Sequence, residues 1–283
     1  MAIFVPMFWH RNLAAVFLAI SLVLTHPAAA RGFVEYGHYA PSIFSETVVL
    51  VDWNSTEGRV RLARATASSD FYQLAHHFQT QANGLYCGIA SSVIILNAMR
   101  AGRNAIPSQT SGEVKIPPAW GGTTIPYPLY TQAGFLDART EAVKPRAVIE
   151  FRSVGFNNQP DPGLTLQQLG DVLVAHGTRS LVRLANLPEA DGTVLFRSVL
   201  RQELSESEHF VIVNYDSHTL GQAGGGHISP LGAYDEVSDS VLVLDVSGYL
   251  NPWFWTPVRD LYLAMHTLDS KTYRGWVVVE EGK

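Results

Sequence analysis

Sulfur and charge are both scarce in this chain. Cys87 is the only cysteine among 283 residues, so no intramolecular disulfide can form. Neither H-x-x-x-H nor H-E-x-x-H occurs, and no cysteine–histidine spacing suits zinc, so no sequence-local metal site is expected. Charged residues make up 16% of the chain, the net charge is −5, and no basic patch or long run of one sign appears. That argues against nucleic acid as a partner. There is no internal repeat at a period of about 20–50 residues, which argues against a solenoid or propeller.

Apolar residues, at 47% with 11% aromatic, are sufficient for a sizeable core, and the 15 prolines and 23 glycines are scattered, as in a fold with many short connections. The first thirty residues differ from the rest. His10 and Arg11 precede an apolar run of twelve, Leu13–Leu24, and "THPAAA" follows, ending at Ala30. The run is short for a bilayer span and ends in an A-x-A pattern, so residues 1–30 are expected to be a secretory signal cleaved before Arg31. An uncleaved anchor is the competing reading. Cleavage would leave a catalytic or binding chain of residues 31–283 with no stable membrane span, secreted or periplasmic. Outside the cytoplasm an unpaired thiol is exposed to oxidation and mixed disulfides. A chain with no other cysteine therefore needs a reason for Cys87.

The stretch Cys87–Gly102, "CGIASSVIILNAMRAG", reads as a mostly buried helix with Gly102 at its end. A second helix begins after Thr165 as N-cap, with Leu166, Leu169, Val172 and Leu173 on one face and Gly177 as its stop. "VKIPPAWGGTTIPYPLYTQAGFL" is turn-rich and reads as irregular, and "GTRSLVRLANLPEADGTVLFRSVLRQEL" reads as a junction. Beyond it, residues 209–216, 227–236, 241–247 and 275–281 are short β-rich runs whose connections are too short for crossovers, so their sheet should be largely antiparallel. Helices followed by strands predict an α+β fold. The expected architecture is two lobes with a cleft, a helical one over about 31–180 and a β one over about 181–283.

Cys87 opens a helix, where unpaired backbone N–H groups and the helix dipole favour a thiolate and can also donate to an oxyanion. A buried cysteine packed as a small hydrophobe fits the same position. A nucleophilic thiolate needs a histidine to hold its proton and a third group to orient that histidine. Of ten histidines, His227 stands apart: it follows the glycine-rich "GQAGGG" and opens a strand. Asp245 interrupts the apolar "VLVLDVSGY", and a carboxylate there is costly unless paired. Antiparallel strands joined through "EVSDS" could bring it beside His227; a turn or capping role is the competing reading for the aspartate, and the pair favours a Cys–His–Asp triad. An oxyanion also needs a second donor. Gln81 and Gln79 both precede Cys87 at a distance one turn can close, and spacing does not choose between them.

"FQTQANGLYCGIASSVIILNAM", the segment from "VNYDSHTLGQAGGGHISPLGAYDE" through "VLVLDVSGYLNPWFWTPVRDLYLAM", and the closing "YRGWVVVEE" resemble the phytochelatin synthases, papain-like cysteine transpeptidases acting on glutathione. The resemblance runs from about Phe71 to Glu281 and is weakest over about 105–160. It implies a papain-like fold, Cys87 as nucleophile, His227 as general base and acid, Asp245 as its orienter and Gln81 as the oxyanion side chain. It implies attack on the Cys–Gly bond of glutathione, release of glycine and a γ-glutamylcysteinyl thioester, passed to water or to a second glutathione. Arg274 in "YRG" matches a family arginine expected to hold a substrate carboxylate; Arg197 and Asn214 are weaker candidates for substrate contact, for which structural ion pairing and strand hydrogen bonding serve equally well, and Gly226 is a further candidate. No tightly bound cofactor is implied: Cd²⁺ or Zn²⁺ would enter as a glutathione thiolate complex.

A sequence ending at Lys283 looks like the short bacterial type, in which hydrolysis outweighs chain extension, and a homodimer is expected from the resemblance alone. A peptidase acting on another γ-glutamyl or short peptide, and a non-catalytic binder of metal thiolates or thiol peptides, are the competing expectations.

Overall fold

The computed structural model describes residues 48–102, 106, 111–150 and 162–282, so the expected signal over residues 1–30 lies outside them. In chain order, strand β1 (Val51–Asp52) is followed by helices α1 (Thr56–Arg64), α2 (Phe71–His76) and α3 (Cys87–Arg100). A hairpin of β2 (Ser111–Lys115) and β3 (Thr124–Tyr130) precedes α4 (Gln132–Phe135), α5 (Ala138–Val143), α6 (Arg146–Ile149) and α7 (Leu166–Ala175). Then come β4 (Thr178–Leu184), α8 (Glu189–Glu203), β5 (Phe210–Asp216), β6 (Gly226–Asp235), β7 (Ser240–Val243) and β8 (Phe254–Pro257). Helix α9 (Val258–Met265), the short β9 (Leu268–Asp269) and β10 (Thr272–Tyr273), and β11 (Gly275–Glu281) complete the chain.

The fold is α+β, built on one seven-stranded sheet of order β1-β8-β7-β6-β5-β11-β4 in which every neighbouring pair is antiparallel. Apolar residues cover both faces. On one, Ile89, Val93 and Leu96 of α3 and Leu169 and Leu173 of α7 share a core with Ile212, Ile228, Leu242 and Val277. On the other, Phe196 and Leu200 of α8 and Leu261 and Met265 of α9 pack with Val211, Val213, Val243 and Trp276. A strand buried on both faces has no polar side to alternate with, which is why "FVIV" and "VLVL" read as continuous apolar runs.

Helix α7 begins as its sequence predicts. The Thr165 hydroxyl accepts from the Gln168 N–H while the Gln168 side chain accepts from the Thr165 N–H, a reciprocal capping box. Three expectations need correction. The segment containing "VKIPPAWGGTTIPYPLY" is the β2–β3 hairpin, not irregular chain, its strands pairing from Lys115↔Thr124 to Ser111↔Tyr130. The supposed junction holds β4 and α8, so the expected division near residue 180 falls inside a strand of the central sheet, and Glu46–Lys283 is one compact unit. Helices also continue into the β-rich half. Pro188 stands before α8, Glu189 and Asp191 occupy its first turn, and its buried stripe is short of large apolar side chains at Gly192 and Thr193, which hides the period.

At Gly192, α8 lies directly against Tyr262 of α9. A Cβ at this position would lie 2.0 Å from the Tyr262 hydroxyl oxygen, and Tyr262 is fully buried. Gly192→Ala is therefore expected to destabilise the protein by about 1–3 kcal/mol through overpacking. A denaturant midpoint equal to that of the parent would contradict this contact.

Among the described residues, no helix is long and apolar enough to cross a membrane.

Candidate active site

Cys87 is the first residue of α3, a helix whose interior is buried along almost its whole length. The start of that helix is fixed against β6. A Cβ on Gly88 would lie 3.2 Å from Leu164 Cδ1 and 3.3 Å from Ile228 Cδ1, so the bare glycine lets the first turn lie close to the strand. One turn on, the Ser91 hydroxyl donates to the Ile228 carbonyl at 3.1 Å. Ile228 adjoins His227, so seating the helix on the strand carries the thiol to the imidazole. The Tyr86 hydroxyl, donating to Glu150, holds the residue just before the helix.

His227 pairs in register with Tyr215 of β5, whose ring meets the imidazole edge-on at 5.7 Å between centroids. Its Nε2 lies 2.8 Å from Asp245 Oδ1, and Cys87 is near enough to act on the titration of the ring. With Nε2 turned to the carboxylate, Nδ1 is the atom left for the thiol. Burial on its own would lower the His227 pKa, but the hydrogen bonds to Asp245 and Cys87 and the charges of both raise it to about 10.

Asp245 is fully buried. Strand β7 ends at Val243 rather than at residue 247 as expected, and Asp245 sits just past it. There the turn role and the histidine-partner role coincide: Oδ1 accepts from the Ser247 N–H at 2.7 Å, the Ser247 hydroxyl at 2.6 Å and His227, while Oδ2 accepts from the Tyr215 hydroxyl at 3.1 Å. Burial pushes the Asp245 pKa upward, but His227 and the two Ser247 donors outweigh it and hold the carboxyl below its usual range. The buried Tyr215 phenol is pushed well above its ordinary value, first by burial and then by Asp245, so it remains a neutral donor.

The two glutamines separate. Gln79 is half-buried and its side-chain oxygen accepts from Gln132 Nε2 at 2.9 Å. Gln81 is buried, its backbone N–H donates to the Val246 carbonyl at 2.9 Å, and its side-chain Nε2 donates to the Tyr249 hydroxyl at 2.7 Å. Gln81 is thus tied to the segment that carries Asp245, and Gln79 is tied to α4.

Arg274, Asn214 and Gly226 come together beside His227. Arg274 Nη1 donates to Asn214 Oδ1 at 2.8 Å and lies 3.5 Å from Asp269 Oδ2, while Nε donates to Thr267 Oγ1 at 3.2 Å. A Cβ on Gly226 would stand 2.6 Å from Arg274 Nη1, so only glycine admits the guanidinium there. Arg197 is not part of this group, contrary to expectation. Its fork is taken up by Asp239, at 2.7 and 2.6 Å, in the turn beyond the far end of β6.

Sequence reasoning missed Tyr215, Ser247, Tyr249 and Gln132. Only Ser247 left a signal, two residues after an aspartate, where a turn-forming partner is expected. Among the described residues, one group is spaced as metal ligands would be: Glu203, His209 and Glu280, whose ligand atoms lie within 4.8 Å of one another. Its charges are already paired, His209 Nδ1 with Glu203 at 2.8 Å and Glu280 with Arg179 at 2.6 Å. It also lies at the opposite end of β5 from Tyr215 and His227.

A family model described as phytochelatin synthase matches residues 45–276. Among curated relatives, a "Glutathione gamma-glutamylcysteinyltransferase 3" of Lotus japonicus is 27% identical over 82% of this chain and 43% of its own length. A "Glutathione gamma-glutamylcysteinyltransferase 1" of Arabidopsis thaliana is 25% identical over 81% and 41%. A Schizosaccharomyces pombe protein with the same name but no number is 23% identical over 75% and 43%. The matched region thus covers about two fifths of these relatives.

Proposed function

The chain belongs to the phytochelatin synthase family, and from that premise we propose that it is a cysteine-dependent γ-glutamylcysteinyl transferase or hydrolase of glutathione. The observation that carries the proposal is the His227 Nε2 to Asp245 Oδ1 contact of 2.8 Å, made by a ring whose titration Cys87 also influences. A histidine held between a buried carboxylate and a thiol is arranged to share the thiol's proton, leaving a thiolate beside an imidazolium. The thiolate attacks the carbonyl of the Cys–Gly bond. The oxyanion that forms is met by the backbone N–H of Cys87 and the side-chain amide of Gln81. His227 then gives its proton to the departing glycine nitrogen, and a γ-glutamylcysteinyl thioester remains on Cys87. Water or the thiol-bearing glutathione acceptor, deprotonated at its amine by the neutral imidazole, takes the acyl group and frees Cys87.

Arg274 offers a guanidinium beside His227 for a substrate carboxylate. Gly226→Ala would push that group off its seat, and is expected to raise KM for glutathione about 10- to 100-fold, with the smaller effect on kcat. An unchanged KM in steady-state glycine release would remove Arg274 from the binding role. Heavy-metal ions enter this scheme as glutathione thiolates, that is, as part of the substrate. A cleaved signal over residues 1–30 would put the reaction in the periplasm or outside the cell, with hydrolysis the main outcome.

The deciding experiment incubates the chain from Arg31 onward with glutathione, with and without Cd²⁺, and resolves the products chromatographically. Glycine with γ-Glu-Cys marks hydrolysis, and longer (γ-Glu-Cys)ₙ-Gly marks transfer. A folded protein that releases no glycine under either condition would sink the proposal.

A further inference from the structure

Gln81 has a buried side-chain oxygen, Oε1, with no hydrogen-bond partner among the described residues, and the residue is only 6% exposed. Its Nε2 is turned instead to the Tyr249 hydroxyl, at 2.7 Å. A buried carbonyl without a donor is unfavourable, and exchanging the amide replaces it with two N–H donors that a bound acceptor can meet. Half a turn about the last side-chain bond exchanges oxygen and nitrogen in place. A tyrosine hydroxyl both donates and accepts. After the exchange Tyr249 donates to Oε1, the buried oxygen is satisfied, and the two N–H donors stand where the oxygen was.

The rest of the segment leaves the amide little other freedom. Gln132 accepts from the Ala82 N–H at 2.8 Å and donates to the Thr80 carbonyl at 2.9 Å, on either side of Gln81. The Gln81 N–H is itself held by the Val246 carbonyl at 2.9 Å. With the backbone pinned at three points, the rotation of the amide is what remains to be set, and Tyr249 is the group in contact with it. Tyr249 comes four residues after Asp245, so one short segment reaches both the histidine and the glutamine.

We propose that Tyr249 is a positioning residue for the acyl-transfer step: its hydroxyl donates to Gln81 Oε1 and so presents Gln81 Nε2 to the oxyanion of the bound substrate. This rests on the reading of Gln81 as the oxyanion side chain. Tyr249 acts only through Gln81. Since an oxyanion exists only in the transition state and intermediate, loss of the hydroxyl should lower kcat and leave KM alone.

The test is a double-mutant cycle on glycine release from glutathione, using the parent chain, Tyr249→Phe, Gln81→Ala and the double variant, each checked for an unchanged melting temperature. Tyr249→Phe is expected to lower kcat about 5- to 10-fold at constant KM, the worth of one hydrogen bond. Gln81→Ala is expected to lower kcat about 10²–10³-fold. In the Gln81→Ala background the second substitution should have no further effect, because the group it positions has gone. Losses that multiply in the double variant would overturn the proposal, since Tyr249 would then act on substrate directly. An unaltered kcat in Tyr249→Phe beside a large loss in Gln81→Ala would overturn it too, leaving Gln81 as the oxyanion donor. Full activity in Gln81→Ala would remove the reading beneath both. Should Gln81→Ala melt early, Gln81→Met keeps the volume and deletes the amide.

Discussion

Cys87→Ser is expected to lower glycine release from glutathione by at least about 10⁴-fold, because every later step requires the thioester. The exchange of sulfur for oxygen is small in volume, and Cys87 is only partly buried at the edge of the α3 core, so the folded state should survive it. A serine hydroxyl is a far weaker nucleophile than a thiolate. The parent enzyme, quenched in acid during turnover, should carry a mass increment of one γ-glutamylcysteinyl group, and Cys87→Ser should carry none. Glycine release that survives the substitution would exclude a cysteine nucleophile. Cys87→Ala, which has no nucleophile at all, guards against a slow ester pathway in the serine variant.

Much of this site could be read from sequence, and the reason is chemical scarcity. One cysteine, one histidine after a glycine turn and one carboxylate in an apolar run are conspicuous because each is unfavourable without a partner. Antiparallel strands around "EVSDS" could bring His227 and Asp245 together, and the two do meet. Helices α3 and α7 were legible because local signals, a Thr165 cap and terminal glycines, agree with the apolar spacing. Helix α8 was not, because its contact face includes Gly192 and Thr193, small for a reason that exists only when α9 lies against it. The hairpin of β2 and β3 was hidden by prolines that argue for turns. Arg197 was misplaced for a different reason. An arginine fork fits a substrate carboxylate and an aspartate equally well, and only the fold shows that Asp239 fills it. Tyr215 and Tyr249 act through hydroxyl groups directed by tertiary contacts, which no spacing encodes.

Asp245→Asn should damage both turnover and stability, and the pH dependence separates the two. An amide in place of the carboxylate can no longer hold an imidazolium beside the thiol, so kcat is expected to fall by about 10⁴-fold, as when a triad carboxylate is neutralised with its geometry kept. For stability, the His227 pKa is raised from 6.5 to about 10, so its contribution is complete below about pH 6.5 and is lost as pH rises through about 10. The Asp245 pKa is lowered from 3.8, so its contribution is complete above that value and is lost as pH falls through the depressed one. The pair therefore supports the fold most between about pH 4 and 6.5. In Asp245→Asn, burial becomes the main influence on His227 and favours the neutral ring, so the variant should be weakest relative to the parent in that window. A difference of about 3–5 kcal/mol is expected near pH 5, shrinking as pH approaches 10. Urea unfolding of both proteins across this range measures it. A difference independent of pH would mean that the 2.8 Å contact is not an ion pair, and the thiolate–imidazolium scheme built on it would fall with it.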